Sequence, residues 1–355
     1  VLAPLASHPP RALRIAVGDP QAPLATFFGV LDAHGLLAPD GRLSPDVALY
    51  SMGDHFDWGA ATDADQAGAD GLALLAWLAS HPPDQVHLVL GNHDLARVGE
   101  MAGFDDATFR AARTLAASAY AARDAAAEAE LLRRFPALPS AEVAARDFAS
   151  FTVAQRELVI ALLRAKRFRL AFALNRDVLL THAGVTTQNL AADETGSAQA
   201  IAAALDRRLD EAVAAWTGGP FAIPGLHEPG NAARGEGGGI LYHRPTSAPI
   251  TPANASRRFD PRKLPPGITQ VVGHIGDEKC RALMPAWCVD EPTDGALRTL
   301  LTNGDQVRYA SGVHPAANGE VREARVIFTD GTMRRARAGA YDVLDLGAMS
   351  PFAPR

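Results

Sequence analysis

In the segment Gln85 to Asp94, QVHLVLGNHD, an amide, an imidazole and a carboxylate follow directly on a run of mostly aliphatic residues. Asn92, His93 and Asp94 carry the groups that ligate divalent cations and move protons, and Gly91 before them lets the backbone approach a neighbour closely. The same kind of group recurs after other apolar runs. Asp19 and Gln21 follow Leu13 to Val17, Asp54 and Asp57 follow Val47 to Met52, His182 follows Val178 to Leu180, and His274 follows Ile268 to Val272. Gathered at one end of a sheet, such groups suit a pair of borderline divalent ions, Mn, Fe or Zn. Each has an ordinary explanation when taken alone: Asp19 as a helix cap, Asp54 as a turn residue, a single histidine as a satisfied core group. Five coincidences at five strand ends are harder to explain in that way.

Strands must position these groups. Helical patterns over Leu24 to Gly35 and Ala67 to Ser80 separate the first three apolar runs, and this β-α-β-α-β order argues for a mostly parallel sheet with ligands outside the carboxyl ends of its strands. Residues 1 to 12 read as an irregular lead-in. From Glu100 to Lys166 the chain is alanine-rich, with helical runs over Ala111 to Phe135 and from Thr152, whose spacing to Gln155 fits a capping box. This region is expected to be a helical insertion, residues 100 to 176, that could roof the site; charged residues such as Arg113 and Glu128 read as its solvated face. A further helix is expected over Ala198 to Trp216, followed by Gly/Pro-rich loops over 217 to 266, a common place for substrate contacts. After Cys288, the runs Leu297 to Thr302, Val307 to Ala310, Ala324 to Thr329 and Tyr341 to Leu346 alternate with turn signals such as Asp330-Gly331. They favour antiparallel strands flanking the first sheet, so that 288 to 355 forms the mainly β end of one domain spanning 1 to 355.

Composition narrows the function classes. A 355-residue chain with 48% hydrophobic content can bury a sizeable core. A net charge of −6 and a pI near 6.0 leave no basic footprint for nucleic acid. No run approaches the roughly 18 apolar residues of a membrane span, so no membrane partner is expected. With only Cys280 and Cys288, a reduced, cytoplasmic setting is the simpler expectation, and at most one disulfide is available.

The motifs GD (Gly18, Asp19), GDxxD (Gly53 to Asp57), GNHD (Gly91 to Asp94), HAG (His182 to Gly184) and GH (Gly273, His274) resemble, in order and spacing, the calcineurin-like metallophosphoesterases. HAGV and a final GH lacking a second histidine look more like the protein-phosphatase-like branch, which includes diadenosine tetraphosphate hydrolases. Arg244 falls on an arginine of that branch in a weaker match over Leu241 to Arg244. The resemblance implies an α/β fold in which the β-sheets of a metallophosphoesterase-type sandwich are flanked by helices, and a centre of two divalent metal ions. Asp19 would hold the first metal, Asp54 would bridge the two, and Asn92, His182 and His274 would complete the second site. A hydroxide activated by the cations would attack phosphorus, His93 would protonate the departing alkoxide, and Asp57 would orient His93. Arg244 would either clamp the phosphoryl oxygens or form a surface salt bridge.

The chain departs from the family in three places. Gln21 stands where the family's first motif has histidine, which implies a looser first site or one biased toward Mn or Mg. Asp57 is followed by Trp58 and Gly59 rather than by an arginine, and the last motif reads Gly273, His274, Ile275, Gly276. His55, inside the second motif, is a candidate to substitute for the absent ligand, on proximity alone. The leading expectation is a metal-dependent phosphoric-ester hydrolase, most similar to a phosphoprotein phosphatase. The alternatives are a hydrolase of dinucleoside polyphosphates or other small phosphorylated molecules, and a degenerate protein that binds a phosphorylated ligand without turnover.

Overall fold

A computed structural model describes residues 13–315 and 323–354; the lead-in expected over residues 1 to 12 lies outside them. Strand β1 (Leu13–Val17), helix α1 (Leu24–Ala33), β2 (Val47–Ser51), α2 (Ala64–Ala79) and β3 (Val86–Val89) follow the expected order, and a one-and-a-half-turn helix α3 (Asn92–Ala96) starts on the GNHD turn. Two helices come next, α4 (Asp106–Ala122) and α5 (Ala125–Arg134), then α6 (Val153–Arg164). Strands β4 (Phe168–Arg169), β5 (Ala171–Ala173) and β6 (Val178–Thr181) lead to α7 (Ala198–Ala215). Two short ribbons pair β7 (His227–Glu228) with β8 (Gly238–Gly239) and β9 (Arg244–Pro245) with β10 (Arg258–Phe259). The remainder is β11 (Thr269–Val272), α8 (Asp277–Leu283), β12 (Arg298–Thr302), β13 (Val307–Ser311), β14 (Ala324–Phe328), β15 (Val343–Asp345) and β16 (Ser350–Phe352).

The strands form two six-stranded sheets, ordered β16-β15-β1-β2-β3-β4 and β13-β12-β14-β11-β6-β5. Alternation along the strands explains how they stack. Ile15, Val17, Leu49 and Leu88 face α1 and α2, whereas Ala16, Ala48, Tyr50 and Val89 meet Leu180, Val271 and Ile327 of the second sheet in one buried cluster. Val272, Val326 and Phe328 turn the other way, onto Cys280 and Met284. The result is an α-β-β-α stack in which both sheets are covered on both faces.

Three expectations are corrected. The strands ending in His182 and His274 do not continue the first sheet: β6 and β11 lie in the second, parallel to each other. Of the four late runs, three build that second sheet and only the last joins the first, as β15 beside β1. Short strands covered on both faces carry no mark of which sheet they enter, which is why the pattern was compatible with one sheet. The helix expected over Ala111 to Phe135 is broken at Arg123, whose φ is +51°, after which Asp124 caps α5 by accepting from Ala126 and Ala127. The box at Thr152 and Gln155 is formed as expected. Helices α4 and α5 enclose an apolar cluster of their own, centred on Phe104, Phe109, Leu131, Phe148 and Phe151. Cys280 and Cys288 are both free thiols.

Glu100, just past the GNHD helix, ties that helix to the Gly/Pro-rich loops. Its Oε1 accepts from the Gly230 N–H (2.7 Å) and the Tyr242 hydroxyl (3.2 Å), while Oε2 is buried without a partner. Burial, reinforced by Glu236, raises this carboxyl from 4.5 to about 7, against the pull of its hydrogen bonds. An acid whose folded pKa is raised leaves stability intact below its unfolded value and lowers it as pH climbs toward the folded value. The cost here is on the order of 3 kcal/mol above pH 7. Glu100→Gln is therefore expected to raise Tm by several degrees at pH 8 and to leave it nearly unchanged at pH 4, read from thermal melts across that range.

Candidate active site

The polar groups expected at strand ends do meet, and they arrive from both sheets. Asp19 follows β1, Asp54 follows β2 and Asn92 follows β3, while His182 and His274 follow β6 and β11 of the facing sheet. Close approach of backbones makes this possible. A Cβ at Gly91 would lie 2.2 Å from Asp54 Oδ1, and one at Gly53, whose φ is +97°, would lie 2.6 Å from His182 Nδ1. Asp54, Asp57 and His274 themselves adopt positive φ (55°, 66° and 68°), conformations uncommon outside glycine that persist where surrounding structure holds them.

Asp94 does part of that holding. Its carboxylate accepts from the backbone N–H groups of Gly91, Asp54 and His55 and from the His55 ring, all at 3.0–3.1 Å. The carboxylate of GNHD is thus the brace that joins two motifs. His55 does not substitute for the missing ligand: its ring lies between the Ser51 hydroxyl (2.8 Å) and Asp94 (3.0 Å), fully buried, so both nitrogens are already engaged.

One ligand atom each from Asp54, His182 and His274 lies within 4.8 Å of the others. Asn92 Oδ1 stands between the histidines, 3.1 Å from His182 Nε2 and 2.9 Å from His274 Nδ1. The Met52 carbonyl accepts from His182 Nδ1 at 2.8 Å, and in the neutral ring this leaves a lone pair on Nε2. That lone pair faces the Asn92 oxygen and, at 3.4 Å, Asp54 Oδ1. Acceptor confronts acceptor, an arrangement that a proton or a cation relieves. Burial opposes charge on Asp54, but His182 and His93 outweigh it and hold the carboxyl well below its usual range. Burial likewise opposes charge on His182, and Asp54 overrides it upward. Burial, then Arg244 and His182, keep His274 well below its usual value and so neutral, the form in which imidazole ligates metals. Nitrogen, amide oxygen and carboxylate oxygen together fit a borderline divalent cation.

The groups expected around a first metal are more loosely assembled. Asp19 accepts the His274 N–H on both oxygens (2.9 and 2.8 Å) and lies outside the close convergence. Gln21 Nε2 donates to the Phe56 carbonyl at 2.8 Å, leaving Oε1 as the free end of the amide. Burial, then Asp330 and Asp54, push the Asp19 carboxyl well up. Asp330, two residues past the end of β14, reads in the sequence only as a turn signal. The rule that singled out Asp19 and Asp54, an acidic residue just past an apolar run, would have found it.

Beside this cluster, His93 Nδ1 donates to Asp57 Oδ2 at 2.9 Å, and His93 Nε2 lies 3.9 Å from Asp54 Oδ2. Burial works against the imidazolium, yet Asp54 and Asp57 raise it to about 9. Asp57 is itself fixed on every side. Its Oδ2 meets Arg97 Nη2 at 2.8 Å, and its Oδ1 accepts from the Ser150 N–H (3.0 Å) and hydroxyl (2.6 Å). Burial notwithstanding, Arg97 and His93 bring its carboxyl down to about 2. Phe148 packs edge-on against His93, ring centres 5.1 Å apart. The segment after α5 therefore completes the His93–Asp57 pair. Ser150→Ala is expected to lower kcat roughly tenfold, the cost of one hydrogen bond to a charged group, with metal content unchanged by elemental analysis.

Arg244, on β9, is 12% exposed in its side chain, 3.5 Å from Glu236, with Nε buried and unpartnered. It is a half-buried pair whose charge reaches His274. It does not line the cleft of about 300 Å³ that contains Asp19, Gln21, Asp57, His93 and Asp330.

No protein-family model and no curated protein matches the chain. Among solved structures it is similar to a cold-active protein-tyrosine phosphatase of a psychrophilic Shewanella species, at 14% identity and a TM-score of 0.39, over 93% of this chain and 74% of that one. It is also similar to a protein serine/threonine phosphatase from Saccharomyces cerevisiae with similarity to human phosphatase PP5, at 15% identity and a TM-score of 0.34, over 74% of this chain and 61% of that one. With two six-stranded sheets stacked between helices and the motif residues gathered at their strand ends, the chain has the architecture that its resemblance to the protein-phosphatase-like metallophosphoesterases implies.

Proposed function

We propose that this protein is a metal-dependent phosphoric-ester hydrolase acting on phosphorylated protein side chains. The observation that carries this reading is His93, hydrogen-bonded through Nδ1 to a buried Asp57, beside a buried Asp54–Asn92–His182–His274 cluster. Asp54, Asn92, His182 and His274 would hold one divalent cation, and Asp19, Gln21 and Asp54 a weaker second. Cations bound there would supply charge neutralisation at phosphorus and a nucleophile active at neutral pH. His93 Nε2, the ring nitrogen not bonded to Asp57, would give its proton to the departing alkoxide, and Asp57 would fix the ring's tautomer and angle. Arg97 and Ser150 would hold Asp57 in place. Arg244 would add positive potential behind His274 rather than bond the phosphoryl group from within the cleft.

A protein that only bound a phosphorylated ligand would have no use for a proton donor set so firmly, which favours an enzyme. The cleft adjoins a cavity of about 810 Å³, room enough for a chain segment beyond the phosphate. The test is a panel of phosphopeptides, dinucleoside polyphosphates and sugar phosphates assayed with added Mn(II), Zn(II) and Mg(II). Phosphopeptides are expected to show the highest kcat/KM. A higher value for dinucleoside polyphosphates would transfer the protein to the small-molecule class, and no hydrolysis of any ester would overturn the enzyme reading.

A further inference from the structure

The cleft beside His93 has an acidic wall, with Asp19, Asp57, Asp147 and Asp330 all lining it. A phosphoryl group entering it brings further negative charge and needs cationic side chains at hand. Besides His93, the lining offers two guanidinium groups, Arg146 and Arg334.

They come from separate parts of the chain. Arg146 belongs to a π-helical turn, Val143–Asp147, a rare geometry found frequently at functional sites. The residue after that turn, Phe148, packs against His93 and fixes it beside the proton donor. Glu142 occupies Arg146 Nη2 at 2.7 Å and Asp147 occupies Nε at 2.9 Å, which leaves Nη1 for a ligand. The side chain is 51% exposed, so these pairs leave it open to the cleft. Arg334 follows β14 and is exposed, with no ion-pair partner among the described residues. Arg146 also lines the 810 Å³ cavity next door, together with Gly276 and Thr332, which are common to both spaces. It thus stands at their boundary, where a phosphoryl group in the smaller space would join a leaving group in the larger one.

We infer that Arg146 and Arg334 form a two-armed clamp for the phosphoryl group, with Arg146 at the boundary between the phosphate and the remainder of the substrate. This rests on the hydrolase reading for its substrate, but not for its test. Calorimetric titration of inorganic phosphate into the Mn(II)-loaded protein measures the clamp without turnover. Arg146→Ala and Arg334→Ala should each weaken phosphate binding about tenfold and the double variant about a hundredfold, with Arg146→Lys recovering part of the loss. Two controls separate contact from support. Glu142→Gln cuts the ion pair on Arg146, and Arg133→Ala removes a remote arginine paired with Glu130; both should bind phosphate as the parent does.

Unchanged affinity in either single alanine variant would overturn the clamp, as would the absence of phosphate binding by the parent. A loss in Glu142→Gln equal to that in Arg146→Ala would make Arg146 a strut rather than a contact. Arginine-dependent phosphate binding in a protein that hydrolyses nothing would refute the hydrolase reading and leave the clamp standing.

Discussion

Replacing His93 by asparagine should lower kcat for an alkyl phosphate about 10²- to 10⁴-fold, the range expected for losing a positioned proton donor. KM should move little. The loss should shrink for a nitrophenyl phosphate, whose leaving group departs without a proton, and this dependence separates proton donation from a general disturbance of the site. The geometry behind it is specific. His93 Nδ1 is committed to Asp57 at 2.9 Å, so only Nε2 can face a substrate, and Asp57 is held by Arg97 and by both the N–H and hydroxyl of Ser150. Steady-state kinetics on the two esters, for the parent and His93→Asn, provide the check. An equal loss on both would assign His93 to the framework instead.

Asn92→Ala should have an effect of similar size through a different route. The Asn92 side-chain oxygen lies about 3 Å from both histidines of the cluster, and its removal takes away the one neutral oxygen donor between them. Metal affinity should fall about a hundredfold or more, a loss at least as large as that for an outer-shell partner, and turnover should fall with it at limiting metal. Raising Mn(II) should recover part of the activity of Asn92→Ala and none of that of His93→Asn. The adjacent residues of one turn would thereby be shown to act separately, one on the cation and one on the proton. Parent-like metal affinity in Asn92→Ala would remove it from the ligand set.

Much of this site was legible in the sequence because strand ends mark where ligands gather. Leu13–Val17 formed with its expected bounds, β3 ended one residue before the expected Leu90, and Asp54, Asn92, His182 and His274 came together. What could not be read was which sheet each strand enters. Val178–Thr181 is buried throughout, and a strand covered on both faces has no polar side to distinguish its neighbours. Contacts across long separations were hidden for a related reason. Ser150 and Asp57 are 93 positions apart and Arg97 and Gln155 are 58 apart, so no local pattern connects them. The role of His55 could not be read because proximity in the motif says nothing about where its ring points, and only Ser51 and Asp94 decide that. Asp330 was overlooked because Asp-Gly is a turn signal first, although its carboxyl is one of those that push Asp19 upward.

The central claim is that the buried Asp54–Asn92–His182–His274 cluster holds a divalent cation on which phosphoester hydrolysis depends. It is tested most directly by assaying one chelator-treated sample for phosphopeptide hydrolysis and bound metal as Mn(II) is added back. The expected result is no turnover in the metal-free protein, recovery that tracks the first equivalent of bound metal, and a further rise at higher Mn(II) as the looser group around Asp19 and Gln21 fills. Full turnover in protein shown to be metal-free, or stoichiometric metal binding unaffected by Asn92→Ala, would contradict it.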